Sequence, residues 1–221
     1  SLRYYVDGLR YAGSQHAYHT IGSTLAITAE SYAKVRGFPI KESGEDFYIL
    51  NKLSKVGKIV ALRGNPIIVE GRISGRVPFG TGKAIENIVR LSNVNEDFLF
   101  YNPVIFEKLK IWIDIIKQFD ANSSVQNIKE KLIKRQESHL LIALENIGAF
   151  IAIQTALCSS KKDATCQKHL NIWFDSFRTL KLIHALREIG YPSVPLSQVI
   201  DCRLYSHILT EYCIDLAVDH L

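Results

Sequence analysis

The chain has 221 residues, 47% of them hydrophobic, and a formal net charge of +5. That is enough apolar material for one large or two small cores, and it carries no low-complexity tract. The charge excess is local: Lys58, Arg63, Arg72, Arg76, Lys83 and Arg90 face only Glu70 and Glu86 between positions 58 and 90. This suits a phosphate-bearing ligand better than a long polyanion, so nucleic acid is not the expected partner.

Residues 3–22 begin as a short helix and become a polar, aromatic loop punctuated by glycine, the kind of segment that lines a site. His16 and His19 are three apart and could share a helical face toward a metal or phosphate; without a third ligand they read first as hydrogen-bonding surface histidines. Tyr11 and Tyr18 offer flat faces for a sugar ring or base, or half-buried core packing. Ser23–Ala29 alternates as a strand does, and Glu30–Arg36 reads as a short helix ended by Gly37.

Gly44-Glu45-Asp46 then opens a helix anchored by Phe47, Ile49, Leu50, Leu53 and Val56 and closed by Gly57 as its C′ residue. Its first turn carries two adjacent carboxylates, where the macrodipole stabilises negative charge. They are either capping acids or a positioned general base. Lys58–Arg63 and Ile67–Ile73 read as strands around a Gly64-Asn65-Pro66 turn. After them, Gly80-Thr81-Gly82 permits close backbone approach to an anion, with Arg72, Arg76 and Lys83 beside it. A diphosphate site and a basic surface loop are both compatible with that segment, which lacks Walker spacing.

From Asn102 the pattern is helical. Stripes run through Ile105–Phe119, Val125–Arg135, His139–Cys158, His169–Ile189 and Leu196–Val218, giving roughly five helices. Trp112, Trp173, Phe174 and Phe177 are expected in the core, with His169 and His184 in it or at its boundary. The expected class is therefore α/β (mixed α+β), a partial sheet with helices over 1–102 followed by an all-α bundle over 103–221. Cys158, Cys166, Cys202 and Cys213 have neither Cys-x-x-Cys spacing nor ordered histidine partners, which argues for reduced thiols over a zinc or redox site. The longest apolar run, 139–158, is broken by Glu145, Asn146 and Gln154, so a core helix and no transmembrane segment is expected. With no signal peptide, the expected location is cytoplasmic, and with no methionine the chain reads as a fragment.

Ala26–Gly37, the Arg36-Gly37-Phe38 turn with Pro39, and Gly44-Glu45-Asp46 with Leu50, Leu53 and Gly57 resemble the carboxyl-terminal half of a family 2 glycosyltransferase catalytic domain of GT-A type. The resemblance covers about residues 3–90. It implies inverting transfer of a sugar from a nucleotide-sugar donor to an acceptor hydroxyl, with Asp46 as general base and Glu45 as its neighbour. Arg72, Arg76 and the Gly80, Thr81 and Gly82 segment would stabilise the departing diphosphate; His16, His19 and Tyr18 would contact acceptor, metal or phosphate. A divalent cation, Mg or Mn, goes with the family. The chain departs from it in having no Asp-x-Asp motif anywhere, so the donor half is expected to be missing and the chain to be inactive alone. The alternative is a non-catalytic helical interaction module with a phosphate-binding surface, including a homodimer.

Overall fold

A computed structural model describes residues 2–62, 81–120, 122–159 and 163–201. In chain order they form α1 (Leu2–Tyr11), a 3-10 turn (Gly22–Thr24), α2 (Ala29–Lys34), α3 (Glu45–Leu53), α4 (Thr81–Val89), α5 (Val94–Asp97) and β1 (Leu99–Phe100). Then follow α6 (Val104–Lys117), α7 (Val125–Lys134), α8 (Ser138–Asn146), α9 (Ala149–Ser159), α10 (Asp163–Trp173), α11 (Ser176–Ile189), β2 (Val194–Pro195) and α12 (Leu196–Asp201). The chain divides into two compact units, residues 18–98 and a helical unit built from 1–17 with 99–221. The opening helix, placed with the first domain by the sequence pattern, thus belongs to the helical unit.

In that unit, Ile105, Leu109, Trp112 and Ile116 of α6 are buried at the three- and four-residue spacing that puts one helix face inward. They meet Leu140 and Leu144 of α8, Ile153 of α9, Leu170 of α10, and Leu182 and Leu186 of α11 in one continuous core. Each such side chain contributes about 1.5–3 kcal/mol by leaving water. Helix α1 packs on α6. Its Asp7, only 2% exposed, is charge-matched by Arg10 at 2.5 Å and Arg3 at 3.8 Å, and the Tyr4 hydroxyl donates to the Tyr101 carbonyl at 2.7 Å.

The helices are shorter than their apolar stripes because local chemistry interrupts them. The 139–158 stripe is two helices bent by 68°, since Gly148 takes a left-handed φ of 78° between them. The 169–189 stripe is broken where the Asp175 carboxylate caps α11 by accepting from the Arg178 N–H at 3.0 Å. Residues beyond 201 in the last predicted helix lie outside the described residues. Among the described residues no single helix is long and apolar enough to cross a membrane. Trp112 and Phe174 are buried, Trp173 is half-buried, and Phe177 and His169 are exposed.

The only sheet among the described residues is the antiparallel pair of β1 and β2, with Leu99 opposite Pro195 and Phe100 opposite Val194. A mixed α+β class holds in that coarse sense. The predicted strand over Ser23–Ala29 is instead a 3-10 turn running into an extended segment, and Lys58–Leu62 joins no ladder among the described residues. Residues 63–80, with the predicted strand Ile67–Ile73, lie outside the described residues.

The 18–98 unit has a small core of Val35, Ile49, Leu50 and Leu53, flanked by half-buried Tyr18, Leu25, Ile27 and Ile59. Helix α2 is capped by Thr28, whose hydroxyl accepts from the Ser31 N–H at 3.3 Å. It ends in two successive left-handed residues, Arg36 at φ 59° and Gly37 at φ 69°. Gly57 does not terminate α3 as a left-handed C′ residue; Ser54 is the C-cap, and Gly57 closes the following turn by donating to the Leu53 carbonyl at 2.9 Å.

Candidate functional site

The Gly44-Glu45-Asp46 helix forms where the sequence places it. Gly44 adopts φ 74°, ψ 16°, a left-handed entry that a glycine takes without strain, and Glu45 and Asp46 occupy the first turn of α3. Ile49, Leu50 and Leu53 on its inner face are buried, which fixes the helix against Val35. The two acids differ. Glu45 is exposed, whereas Asp46 is half-buried and reaches across the unit: its Oδ2 accepts from the Gly22 N–H at 3.1 Å. Its Oδ1 accepts from the Phe47 N–H at 2.7 Å.

Asp46 therefore ties the 3-10 turn at Gly22 to the mouth of α3. A carboxylate has about four lone-pair sites, and these two bonds leave room on both oxygens for a hydroxyl donor. Close packing supports the tie, since a Cβ on Gly22 would stand 3.4 Å from the Asp46 Cβ. Ser43, just before the helix, is 9% exposed, and its hydroxyl has no hydrogen-bond partner among the described residues.

The remaining predicted residues do not all join this site. Tyr18 is half-buried against the small core, and His19 is exposed. His16 is 5% exposed within the helical unit, where its Nε2 lies 3.3 Å from the Phe174 carbonyl oxygen. The stretch around the two histidines is not helical, so the shared helical face expected from their spacing does not exist. Arg72, Arg76 and Gly80 lie outside the described residues. Thr81 and Gly82 form the first turn of α4, so the loop expected there has already become helix. Among the described residues no group of three His, Cys, Asp or Glu side chains is placed to hold a metal ion.

The helical unit holds a polar pair that no spacing rule singles out. The Tyr101 hydroxyl lies 2.9 Å from His184 Nε2, with the rings stacked at 6.0 Å between centroids. Burial, helped by the Arg187 guanidinium one turn on, holds the His184 imidazole below its ordinary pKa, while Glu188 opposes weakly. Burial likewise pushes the Tyr101 hydroxyl up, against Arg187. The bond between the hydroxyl and the imidazole fastens the residue that follows β1 to α11. Lys108 and Glu137 form a second internal pair at 2.8 Å. Burial works against the Lys108 charge, but the hydrogen bond and charge of Glu137 outweigh it and raise the ammonium pKa.

Compared with known protein families, with curated proteins and with solved structures, the chain matches none of them.

Proposed function

We propose that residues 18–98 form the acceptor side of an inverting, nucleotide-sugar-dependent glycosyltransferase, in which Asp46 takes the proton from the acceptor hydroxyl. The observation that carries this reading is the placement of Asp46. It sits at the mouth of an anchored helix, its orientation set by the Gly22 and Phe47 amides, with lone pairs left for a hydroxyl. Glu45, beside it and exposed, adds negative field without sharing those bonds. Most of the nucleotide site and its divalent cation belong, on this reading, to residues outside this chain, because it has no Asp-x-Asp motif.

In a donor-competent form of the protein, Asp46→Asn keeps the shape and an acceptor oxygen but removes the basicity. Sugar transfer should fall by about 10²–10⁴-fold, the usual contribution of a positioned base, with nucleotide affinity unchanged. Undiminished turnover refutes the assignment. For the 221-residue chain itself, thermal denaturation with UDP or GDP, with and without manganese, tests the diphosphate site. A rise in Tm that disappears in Arg76→Ala places that site on this chain.

A second reading, a helical interaction module, is favoured by one observation. Helices α7, α8 and α9 each leave an isoleucine in solvent, Ile133 at 63%, Ile142 at 45% and Ile151 at 75% exposure. It predicts self-association that Ile151→Lys weakens; a monomeric mass by light scattering disposes of the homodimer.

A further inference from the structure

Helices α6 and α7 are joined by a short link, yet α7 packs mainly on α8 and α9 while α6 packs on α1, α10 and α11. Between them lies a cleft of about 260 Å³. Its apolar part is made by Ile115 and Phe119 on one side and Ile128 on the other, with Phe119 and Ile128 at 5% and 3% exposure. Lys131 and Arg135, one helical turn apart at the end of α7, stand on one lip. Neither has a carboxylate partner among the described residues.

The opposite lip carries Asp114, whose charge is already met by Lys110 at 3.5 Å and Lys117 at 4.0 Å. The nearby Asp120 carboxylate accepts from the Ser123 hydroxyl at 2.6 Å, a bond that leaves its negative charge in place. Lys110, Lys117, Lys131 and Arg135 outnumber Asp114 and Asp120 around the cleft, so its net charge is positive, and the floor is apolar. Lys131 and Arg135 also offset the negative end of the α7 dipole, but that role asks neither for an apolar recess between the helices nor for two cations facing the same opening.

We propose that this cleft binds a small amphiphilic carboxylate, its anionic head between Lys131 and Arg135 and its apolar body over Ile115 and the exposed edges of Phe119 and Ile128. The volume lies just below the roughly 300–1,000 Å³ of most ligand pockets, which limits the occupant to a single ring or a short aliphatic chain. A planar guanidinium beside an ammonium suits a carboxylate, which the fork of arginine engages through both oxygens. The inference concerns the helical unit alone and stands or falls independently of the glycosyltransferase reading.

The test titrates the full chain with 4-phenylbutyrate, 4-phenylbutylamine and acetate, following backbone amide shifts by NMR. Saturable binding of phenylbutyrate with a Kd below about 1 mM is expected, with shifts clustered at Phe119, Ser123 and Ile128. Acetate lacks the apolar body and the amine has the wrong charge, so each should bind at least tenfold more weakly. Lys131→Glu with Arg135→Glu should abolish the phenylbutyrate shifts with the Tm retained, while Lys134→Glu, on the same helix but outside the cleft, should leave them in place. The proposal is overturned by any of three results: no saturation, equal binding of the amine, or an equal loss in Lys134→Glu.

Discussion

Replacing Gly8 by alanine separates packing from helix propensity, because the two predict opposite signs. In an exposed helix interior, glycine to alanine stabilises by about 1 kcal/mol. Gly8 lies inside α1, and a Cβ there would stand 2.5 Å from Cε1 and Cζ of Phe106 and 2.6 Å from its Cδ1. Carbon atoms normally approach to about 3.5–4.0 Å, so the ring would have to retreat by about 1 Å. It has little room to do so: Phe106 is fully buried, with Tyr4 edge-on at 5.6 Å and Tyr5 at 6.5 Å.

Overpacking of this kind costs about 1–3 kcal/mol, and the tight surroundings place it in the upper part of that range. After the propensity gain is subtracted, Gly8→Ala should destabilise by about 1–2 kcal/mol, lowering Tm by about 3–6 °C for a chain of this size. Urea unfolding followed by circular dichroism reads the change. In a Phe106→Leu background the clash is relieved and Gly8→Ala should become neutral or stabilising, a coupling of about 1–3 kcal/mol. A Gly8→Ala protein as stable as the parent, or a coupling near zero, would show that the α1–α6 contact does not set the cost.

Other outcomes follow from local geometry. His184 is held below its ordinary pKa, so its contribution to stability is fully present above the unfolded value of about 6.5 and is lost as pH falls through the folded one. The urea midpoint should drop more steeply between pH 7 and 5 in the parent than in His184→Asn, and parallel profiles would sink the assignment. At Gly37, φ is 69° and a Cβ would meet Tyr32 at 2.9 Å. Tyr32 is 43% exposed and can swing away, so Gly37→Ala should cost about 1–2 kcal/mol from the left-handed backbone alone. Gly37→Asn should cost less, and equal losses would argue against backbone strain. The Ser123 hydroxyl, by its hydrogen bond, holds the Asp120 carboxyl below the usual carboxylate range. Ser123→Ala should raise that pKa in a carbon-detected NMR titration, and an unmoved value would remove Ser123 as the cause.

Legibility in the sequence followed the range of the interactions. Helix α3 was readable because its signals are local: a glycine entry, two acids and apolar residues at helical spacing lie within ten positions. The helical half was readable as a class, but not its breaks, since the bend at Gly148 and the cap at Asp175 sit inside apolar stripes that continue across them. Ser23–Ala29 and Lys58–Leu62 have the alternation and β-branching of strands, yet among the described residues neither finds a ladder partner, and alternation without a partner makes extended chain, not sheet. The bond from Gly22 to Asp46 spans 24 positions, and that between Tyr101 and His184 spans 83. Only the fold brings such groups together. The spacing of His16 and His19 misled because it presumes a helix that the glycine and serine around them do not form.

The attachment of α1 to the helical unit has a consequence for how the protein is made. Tyr4 and its hydrogen-bond acceptor Tyr101 are separated by 97 positions. At about 5–20 residues per second, translation leaves α1 without α6 for roughly 5–20 s. A ten-residue segment is too short to hold a helix alone in water, so Tyr4, Val6 and Leu9 stay on an unfolded and adhesive stretch while residues 18–98 are synthesised. On the ribosome the inserted unit has its whole sequence first, and the helical unit is the one that must wait, its first piece open to a holdase.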